Sequence, residues 1–316
     1  MEFIPNKDLQ ELNWFKTGGR ARWFCRPAST EDMQEALAYA QEEELETVVL
    51  GEGANILISD DGVNGLVIQP ANAFCDIQQD SEEEELVLLQ AGAGTSFQTV
   101  IDFAMKHNLL GLEEFSGIPG SVGGAVYINI HYFEYLLSEY LVSAHVMERE
   151  SGTVHEAGNS WFGFGYDRSR LHRREHILID ATFRMRKGSE LESAYAWGRR
   201  DEIIRHRERR YPREGTCGSF FQNFSPEEVT LEEQGRKVTA VAWYLDKLGI
   251  KGSLAVGDAI VSHKHANMIV NRGRATATEI ITLARLMQEK VRDAFGLVPQ
   301  PECQLTGFKE YPLLTP

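Results

Sequence analysis

Two glycine-rich stretches stand out as the residues best suited to chemistry. The first is Leu50-Gly51-Glu52-Gly53-Ala54-Asn55-Ile56. The second, Ser116-Gly117-Ile118-Pro119-Gly120-Ser121-Val122-Gly123-Gly124-Ala125, gathers small residues into one run. Where side chains are missing, backbone N–H groups can approach a diphosphate closely. Gly51-x-Gly53 follows an expected strand but lacks the third glycine of a dinucleotide fingerprint. No Gly-x-x-x-x-Gly-Lys-Ser/Thr run exists, which excludes a P-loop. One Gly-x-Gly by itself reads as a turn. Two such loops in one region point to a long diphosphate cofactor.

Polar candidates follow later in the chain. Ser219 lies in Gly218-Ser219-Phe220-Phe221-Gln222-Asn223, and Glu302 in Pro301-Glu302. Taken alone, Ser219 reads as a helix or turn cap and Glu302 as a surface carboxylate. Arg209, Arg210 and Arg213 precede Ser219 closely. Arginine suits phosphate geometry, although an exposed polar helix end would look the same. Asn223 and Lys264 are further candidates for polar substrate contacts, and His265 reads equally well as a core histidine.

The elements that must position these residues alternate through the first part of the chain. Ala21 to Cys25, a buried Thr47 to Leu50, Leu66 to Ile68 and Leu86 to Gln90 read as strands. Thr30 to Glu43 reads as a helix, with Ala36, Leu37 and Ala40 at helical spacing. The acidic run Ser81 to Glu85 reads as a solvated turn. A second helix is expected from Ser96 to His107, opened by a Thr95/Gln98 capping box. Strands are expected around Ser143 to Arg149 and Ile177 to Met185, then a long polar helix over Glu190 to Arg210. An apolar helix near Val238 to Leu248 precedes a final helix from Thr276 to Phe295. Thr276 and Glu279 form its capping box, Ile280, Leu283, Ala284, Met287 and Val291 its apolar stripe, and Gly296 its stop.

Composition bounds the rest. With 316 residues, 42% hydrophobic and 25% charged, the chain can bury the cores of two or three domains. A formal net charge of −15 argues against a nucleic-acid partner, despite the basic run Arg205 to Arg213. The expected partners are small molecules held at local positive sites. No apolar run approaches the roughly 20 residues that span a bilayer, so no membrane partner is expected. The N-terminus lacks the pattern of a secretory signal. Cys25, Cys75, Cys217 and Cys303 form no Cys-x-x-Cys pair and no cluster with histidines, so no metal site is expected. They read as reduced thiols in a cytoplasmic protein.

Taken together, the motifs resemble those of one family. Leu50 to Asp60 looks like the first FAD loop of the MurB reductases, and Gly117 to Ala125 looks like their second. Gly218 to Asn223 looks like their catalytic serine motif, and Pro301-Glu302 like their catalytic glutamate. Gly257-Asp258-Ala259 and Ser262-His263-Lys264-His265-Ala266-Asn267 match a further segment. The motifs occur in family order across nearly the whole chain. The resemblance implies an α+β fold: a two-subdomain FAD-binding module of the vanillyl-alcohol-oxidase (PCMH) type, followed by a smaller α+β substrate-binding domain. The expected parts are 1–70 and 71–205 for FAD and 206–316 for substrate.

The resemblance also implies a reaction in two halves, within peptidoglycan precursor synthesis. NADPH reduces FAD, and hydride then passes from flavin N5 to the enolpyruvyl group of UDP-N-acetylglucosamine enolpyruvate. UDP-N-acetylmuramate leaves. Hydride addition places negative charge on the neighbouring carbon and its carboxylate, so a proton and a stabilising group are needed there. Ser219 is the implied proton donor and Glu302, in its protonated form, the implied stabiliser. Gly51, Glu52, Gly53, Ala54, Asn55, Ile56, Ser116, Gly117, Ile118, Pro119, Gly120, Ser121, Gly123, Gly124 and Ala125 are the implied cofactor contacts. Arg210, Asn223 and Lys264 are implied substrate contacts, and a monomer is expected.

Three positions depart from the family pattern. A Tyr-Arg-x-Ser motif is replaced by Tyr166-Asp167-Arg168-Ser169, so the arginine comes one residue late. On a strand such a shift reverses the side chain's face, and Arg168 can bind a substrate carboxylate only if a turn or bulge re-aims it. Asn129-Ile130-His131-Tyr132-Phe133-Glu134 is bulkier than the family's Asn-x-Gly-Ala-Tyr/His-Gly, and Gln304 stands where an arginine is common. A different FAD-dependent oxidoreductase on this scaffold, and a flavin-binding protein without catalysis, are the other readings.

Overall fold

The computed structural model describes residues 1–79, 86–213 and 215–316. The acidic run Ser81 to Glu85 lies outside the described residues. Two compact units form: Met1–Pro5, Arg22–Glu52 and Gly65–Arg207 make the first, and Asn6–Ala21, Gly53–Asn64 and Glu208–Pro316 the second. Neither is one continuous run of chain, and the boundary after Glu52 falls inside the first glycine loop.

A four-stranded sheet runs in the order Ile4–Asp8, Arg20–Cys25, Val63–Ile68, Thr47–Val49, the last two strands parallel. Helix α1 (Thr30–Glu42) begins where Ser29 accepts a hydrogen bond from the Asp32 N–H. Its buried stripe, Met33, Ala36, Leu37 and Ala40, joins Cys25, Leu66 and Ile68 in one core. Thr47–Val49 is half-buried rather than buried as expected, because it is the edge strand of that sheet.

The larger sheet of the first unit is antiparallel. Its order is Val154–Gly158, Leu141–Glu148, His176–Lys187, Leu86–Gly92, Cys75–Gln79, with Leu109–Leu110 also on His176–Lys187. Helices α2 (Phe97–Lys106) and α3 (Val122–Ile128) cover it, and Phe97, Val100, Val122 and Val126 pack with Leu89, Ala91, Ala181 and Phe183. The expected capping box on α2 does not form. Ser96 is the N-cap residue and makes no side-chain cap. The Thr95 hydroxyl instead exchanges hydrogen bonds with the Phe74 N–H and C=O, both at 3.0 Å, and Gln98 reaches elsewhere. A distant peptide group outcompeted the local one. The polar helix α4 (Glu190–Arg210) has the expected bounds and buries only Ser193, Ala196 and Ile203.

In the second unit, α5 (Val241–Lys247) and α6 (Ala277–Phe295) enclose a core with Phe15, Leu57, Phe220, Phe221, Val241 and Leu283. The Thr276/Glu279 capping box forms as expected, and Gly296 ends α6 in the left-handed conformation. The Asp60 carboxylate also accepts from the Ala277 and Thr278 N–H groups, each at 2.8 Å. A small antiparallel sheet joins Ala255–Val256, Ala259–Val261 and Ile269–Asn271. Gln304–Thr306 pairs in parallel with Ile56–Ile58, which ties the end of the first glycine loop to the segment after Glu302. The expected α+β class is borne out. Among the described residues, no helix is long and apolar enough to cross a membrane.

Candidate active site

In the first unit, Gly51 and Glu52 lie against the second glycine stretch. A Cβ on Gly51 would stand 2.5 Å from Ser121 Oγ. The Gly120 N–H donates to the Glu52 carboxylate at 3.1 Å. Ser121 caps α3 by accepting from the Gly124 N–H at 3.2 Å, and Ala125 is buried beneath the stretch. The Ile118, Val122 and Gly123 N–H groups donate to carbonyls of Phe115, Thr95 and Ala93, so flanking backbone pins the stretch in place.

Two helices hold that stretch from outside. The Gly117 N–H donates to Gln98 on α2 at 2.9 Å, and Arg207 on α4 donates to the Gly117 carbonyl at 3.0 Å. Gln98 also donates to Asp102, which accepts from Arg200 at 2.6 Å. Sequence reading missed this support and assigned Gln98 to a cap. Nothing in the local pattern distinguishes the two partners.

Arg168 also belongs to the first unit. Gly165 and Arg168 close a tight turn, with the Gly165 N–H donating to the Arg168 carbonyl at 2.9 Å. Asp167, at the turn's third position, has a left-handed φ of 50°. The late arginine therefore stands at the end of a turn and not within a regular strand. Just beyond it, Ser169 donates to the Tyr127 carbonyl at 2.7 Å, and its N–H donates to His172 Nδ1 at 3.3 Å.

Two of the departures prove to be one feature. Asp167 Oδ1 lies 3.2 Å from His131 Nδ1, and the Tyr166 ring packs on the His131 ring with centroids 4.8 Å apart. The bulky residue after the glycine stretch and the extra residue before Arg168 are thus partners. Arg168 itself is exposed.

In the second unit, the segments carrying Ser219 and Glu302 lie side by side. Ser219 bridges Met268 and Phe221 bridges Pro301, both antiparallel. The Glu302 N–H donates to the Phe220 carbonyl at 2.9 Å. Phe220 is fully buried while Ser219 is half-exposed. Asn55 also meets this segment, its Nδ2 donating to the Glu302 carbonyl at 3.4 Å and its backbone carbonyl accepting from the Gln304 N–H at 3.0 Å. Gly53, at a φ of 69°, accepts from the Trp14 N–H at 2.9 Å. Ala54 is half-buried and Ile56 is buried at the start of its strand. Cys217 and Cys303 flank the two segments as free thiols; burial and the adjacent Cys217 thiol push Cys303 well up, which holds it protonated.

The remaining polar candidates have structural neighbours. Lys264 Nζ donates to the carbonyls of Glu208 at 2.7 Å and Tyr211 at 3.2 Å, closing the C-terminal end of α4. The Asn223 side chain accepts from the Val241 N–H at 3.2 Å, at the start of α5. Arg210 lies over the Tyr211 ring, and Arg213 pairs with Glu208.

His265 is held neutral. Burial, then the Arg210 and Lys251 cations, push its imidazole down to about 4, opposed by Asp246. Its Nδ1 accepts from the Asn267 N–H at 3.3 Å, which the neutral ring permits. The folded value lies below the ordinary 6.5, so the fold favours the neutral ring. That stability is complete above about pH 6.5 and is lost as pH falls towards about 4. Discounted for partial exposure, it amounts to about 2 kcal/mol. Denaturant titrations across that range should show the native chain losing more stability than His265→Gln. Equal losses would contradict the assignment.

Comparisons with known proteins bear on this geometry. Residues 210–306 match the family described as UDP-N-acetylenolpyruvoylglucosamine reductase, C-terminal domain, and residues 21–158 match the FAD binding domain family. A UDP-N-acetylenolpyruvoylglucosamine reductase of Synechocystis sp. is 33% identical over 305 residues, covering 96% of this chain and 90% of the relative. The chain belongs to the UDP-N-acetylenolpyruvoylglucosamine reductase family. The Gloeobacter violaceus reductase of the same name is 34% identical over 307 residues, with 96% of each chain covered. The solved reductase (MurB) of Thermus caldophilus superposes with a TM-score of 0.75 at 26% identity, covering 97% of this chain and 98% of that one.

Members of this reductase family carry FAD, and the loops here fit it. In the first unit, Gly120 has a φ of 136° and open space where a Cβ would stand, and the fully buried Ser116 Oγ has no hydrogen-bond partner. In the second, the buried Asn55 Oδ1 has none either. A buried polar atom without a partner costs about 1–3 kcal/mol, so the hydroxyl donor of the one loop and the amide acceptor of the other each suit a polar ligand group. The expected FAD-binding module and MurB membership both hold.

Proposed function

We propose that this chain reduces UDP-N-acetylglucosamine enolpyruvate to UDP-N-acetylmuramate with electrons from NADPH, in the cytoplasm and as a monomer. The observation that carries this reading is the backbone pairing of the Ser219 and Glu302 segments within a chain of this family. FAD, when bound, supplies hydride transfer. Ser219 holds a proton for the carbon next to the one that receives hydride, and Glu302, protonated, stabilises the charge that develops there. Arg168 receives the substrate carboxylate. Arg210, Asn223 and Lys264 contact the polar part of the substrate; Lys264 is held by the Glu208 and Tyr211 carbonyls. Gly51 to Ile56 and Ser116 to Ala125 hold the cofactor, within 1–70 and 71–205, and 206–316 takes the substrate.

The test begins with the visible spectrum of the purified protein and continues with NADPH oxidation, with and without UDP-N-acetylglucosamine enolpyruvate. Flavin absorbance and substrate-dependent oxidation are expected. Flavin with no response to that substrate would mean another acceptor. A protein that cannot be loaded with FAD would overturn the reading of both glycine loops.

A further inference from the structure

The serine segment is clamped by a side chain that the reaction does not require. Asn267 is buried, at 2% exposure. Its Nδ2 donates to the Phe221 carbonyl at 2.7 Å, and its Oδ1 accepts from the Phe221 N–H at 3.1 Å. Its own carbonyl accepts from the Phe220 N–H at 2.7 Å. On the opposite edge, the Phe220 carbonyl accepts from Glu302, and the Gln222 N–H donates to the Gln300 carbonyl at 2.9 Å. Both peptide groups of Phe220 and Phe221 are thereby engaged. The primary amide of Asn267 behaves as one more peptide unit beside the segment, offering donor and acceptor together.

We propose that Asn267 is a positioning residue, which fixes the Ser219 hydroxyl by locking the two residues that follow it. The inference rests on the assignment of Ser219 as proton donor. A proton donor works only within hydrogen-bond reach of its target. Ser219 is half-exposed and, among the described residues, its backbone bridges Met268, so the lock on Phe220 and Phe221 determines where its hydroxyl stands. Asparagine is specific here. Aspartate would keep the acceptor but set a carboxylate oxygen against the Phe221 carbonyl, and a buried repulsion of that kind moves the segment.

The test uses the flavin-loaded holoenzyme. Asn267→Asp and Asn267→Gln are prepared, with Ser219→Ala beside them. Stopped-flow absorbance follows flavin reduction by NADPH, then reoxidation of the reduced protein by UDP-N-acetylglucosamine enolpyruvate. The expected result for Asn267→Asp is reoxidation slower by roughly 100-fold, the scale of a 1 Å misplacement, with flavin content and the NADPH step within about twofold of native. Asn267→Gln, which keeps the amide on a longer stem, should lose less; if the aspartate variant does not fold, the glutamine variant is read in the same way. A merely structural role would slow both steps together and deplete flavin, and that outcome overturns the proposal. So does native reoxidation in the Asn267 variants when Ser219→Ala is slow. Native reoxidation in Ser219→Ala would overturn the serine assignment and this inference with it.

Discussion

Ser219→Ala is expected to keep its flavin, to be reduced by NADPH at the native rate, and to lose turnover of the enolpyruvyl substrate by about 10²–10⁴-fold. The two halves of the reaction make different demands. Flavin reduction needs no proton from Ser219. Reduction of a carbon–carbon double bond needs one hydride and one proton, and the proton must arrive at the carbon beside the carboxylate. The Ser219 segment lies antiparallel to Met268 on one side and reaches the Glu302 segment through Phe220 and Phe221 on the other, so removing one hydroxyl leaves the backbone scaffold intact. The loss should therefore fall on kcat for substrate reduction, with flavin content unchanged. Native product formation by Ser219→Ala would falsify the assignment, and loss of flavin would mean that the serine serves the fold.

Gly53→Ala should produce a large structural effect at the first glycine loop. At a φ of 69°, an alanine already meets left-handed strain of about 1 kcal/mol. Its Cβ would also stand 2.3 Å from the Leu12 carbonyl oxygen and 2.5 Å from Asn13 Cα. Both are backbone atoms, and the Trp14 N–H is bonded to Gly53 itself, so no side chain can swing aside. A total cost of about 3 kcal/mol follows, with the first glycine loop displaced and flavin lost. Gly249→Ala is the control. Its φ is 65° with nothing within 4 Å of a Cβ, so only the strain should appear, about 1 kcal/mol. Thermal melts and flavin content of the two variants measure the difference. Equal melting shifts, or full flavin in Gly53→Ala, would contradict it.

The sequence by itself determined what depends on near neighbours. The period of Met33, Ala36, Leu37 and Ala40 set α1, and the Thr276/Glu279 box with Gly296 set both ends of α6. These signals are legible because helix hydrogen bonds and caps join residues three or four apart. The glycine loops and the order of the motifs carried the family and its cofactor for the same reason. Each motif is a local stretch.

Tertiary structure decided what depends on partners far along the chain. Thr95 and Gln98 have the spacing of a cap, yet Phe74 and Gly117 claimed their side chains. His131 and Asp167 read as separate departures and are contact partners, 3.2 Å apart. The Asn267 side chain pairs with Phe221, 46 residues away. Phe220 and Phe221, next to Ser219, meet the Glu302 segment, and Asn55 meets it too, only because short extended stretches pair across the sequence. A single peptide N–H bonds as well to a distant carbonyl as to a near one, so no periodicity records which it will choose. For the segments around Ser219, Asn55 and Glu302, burial of the core that holds Phe220 and Leu57 selects the partner.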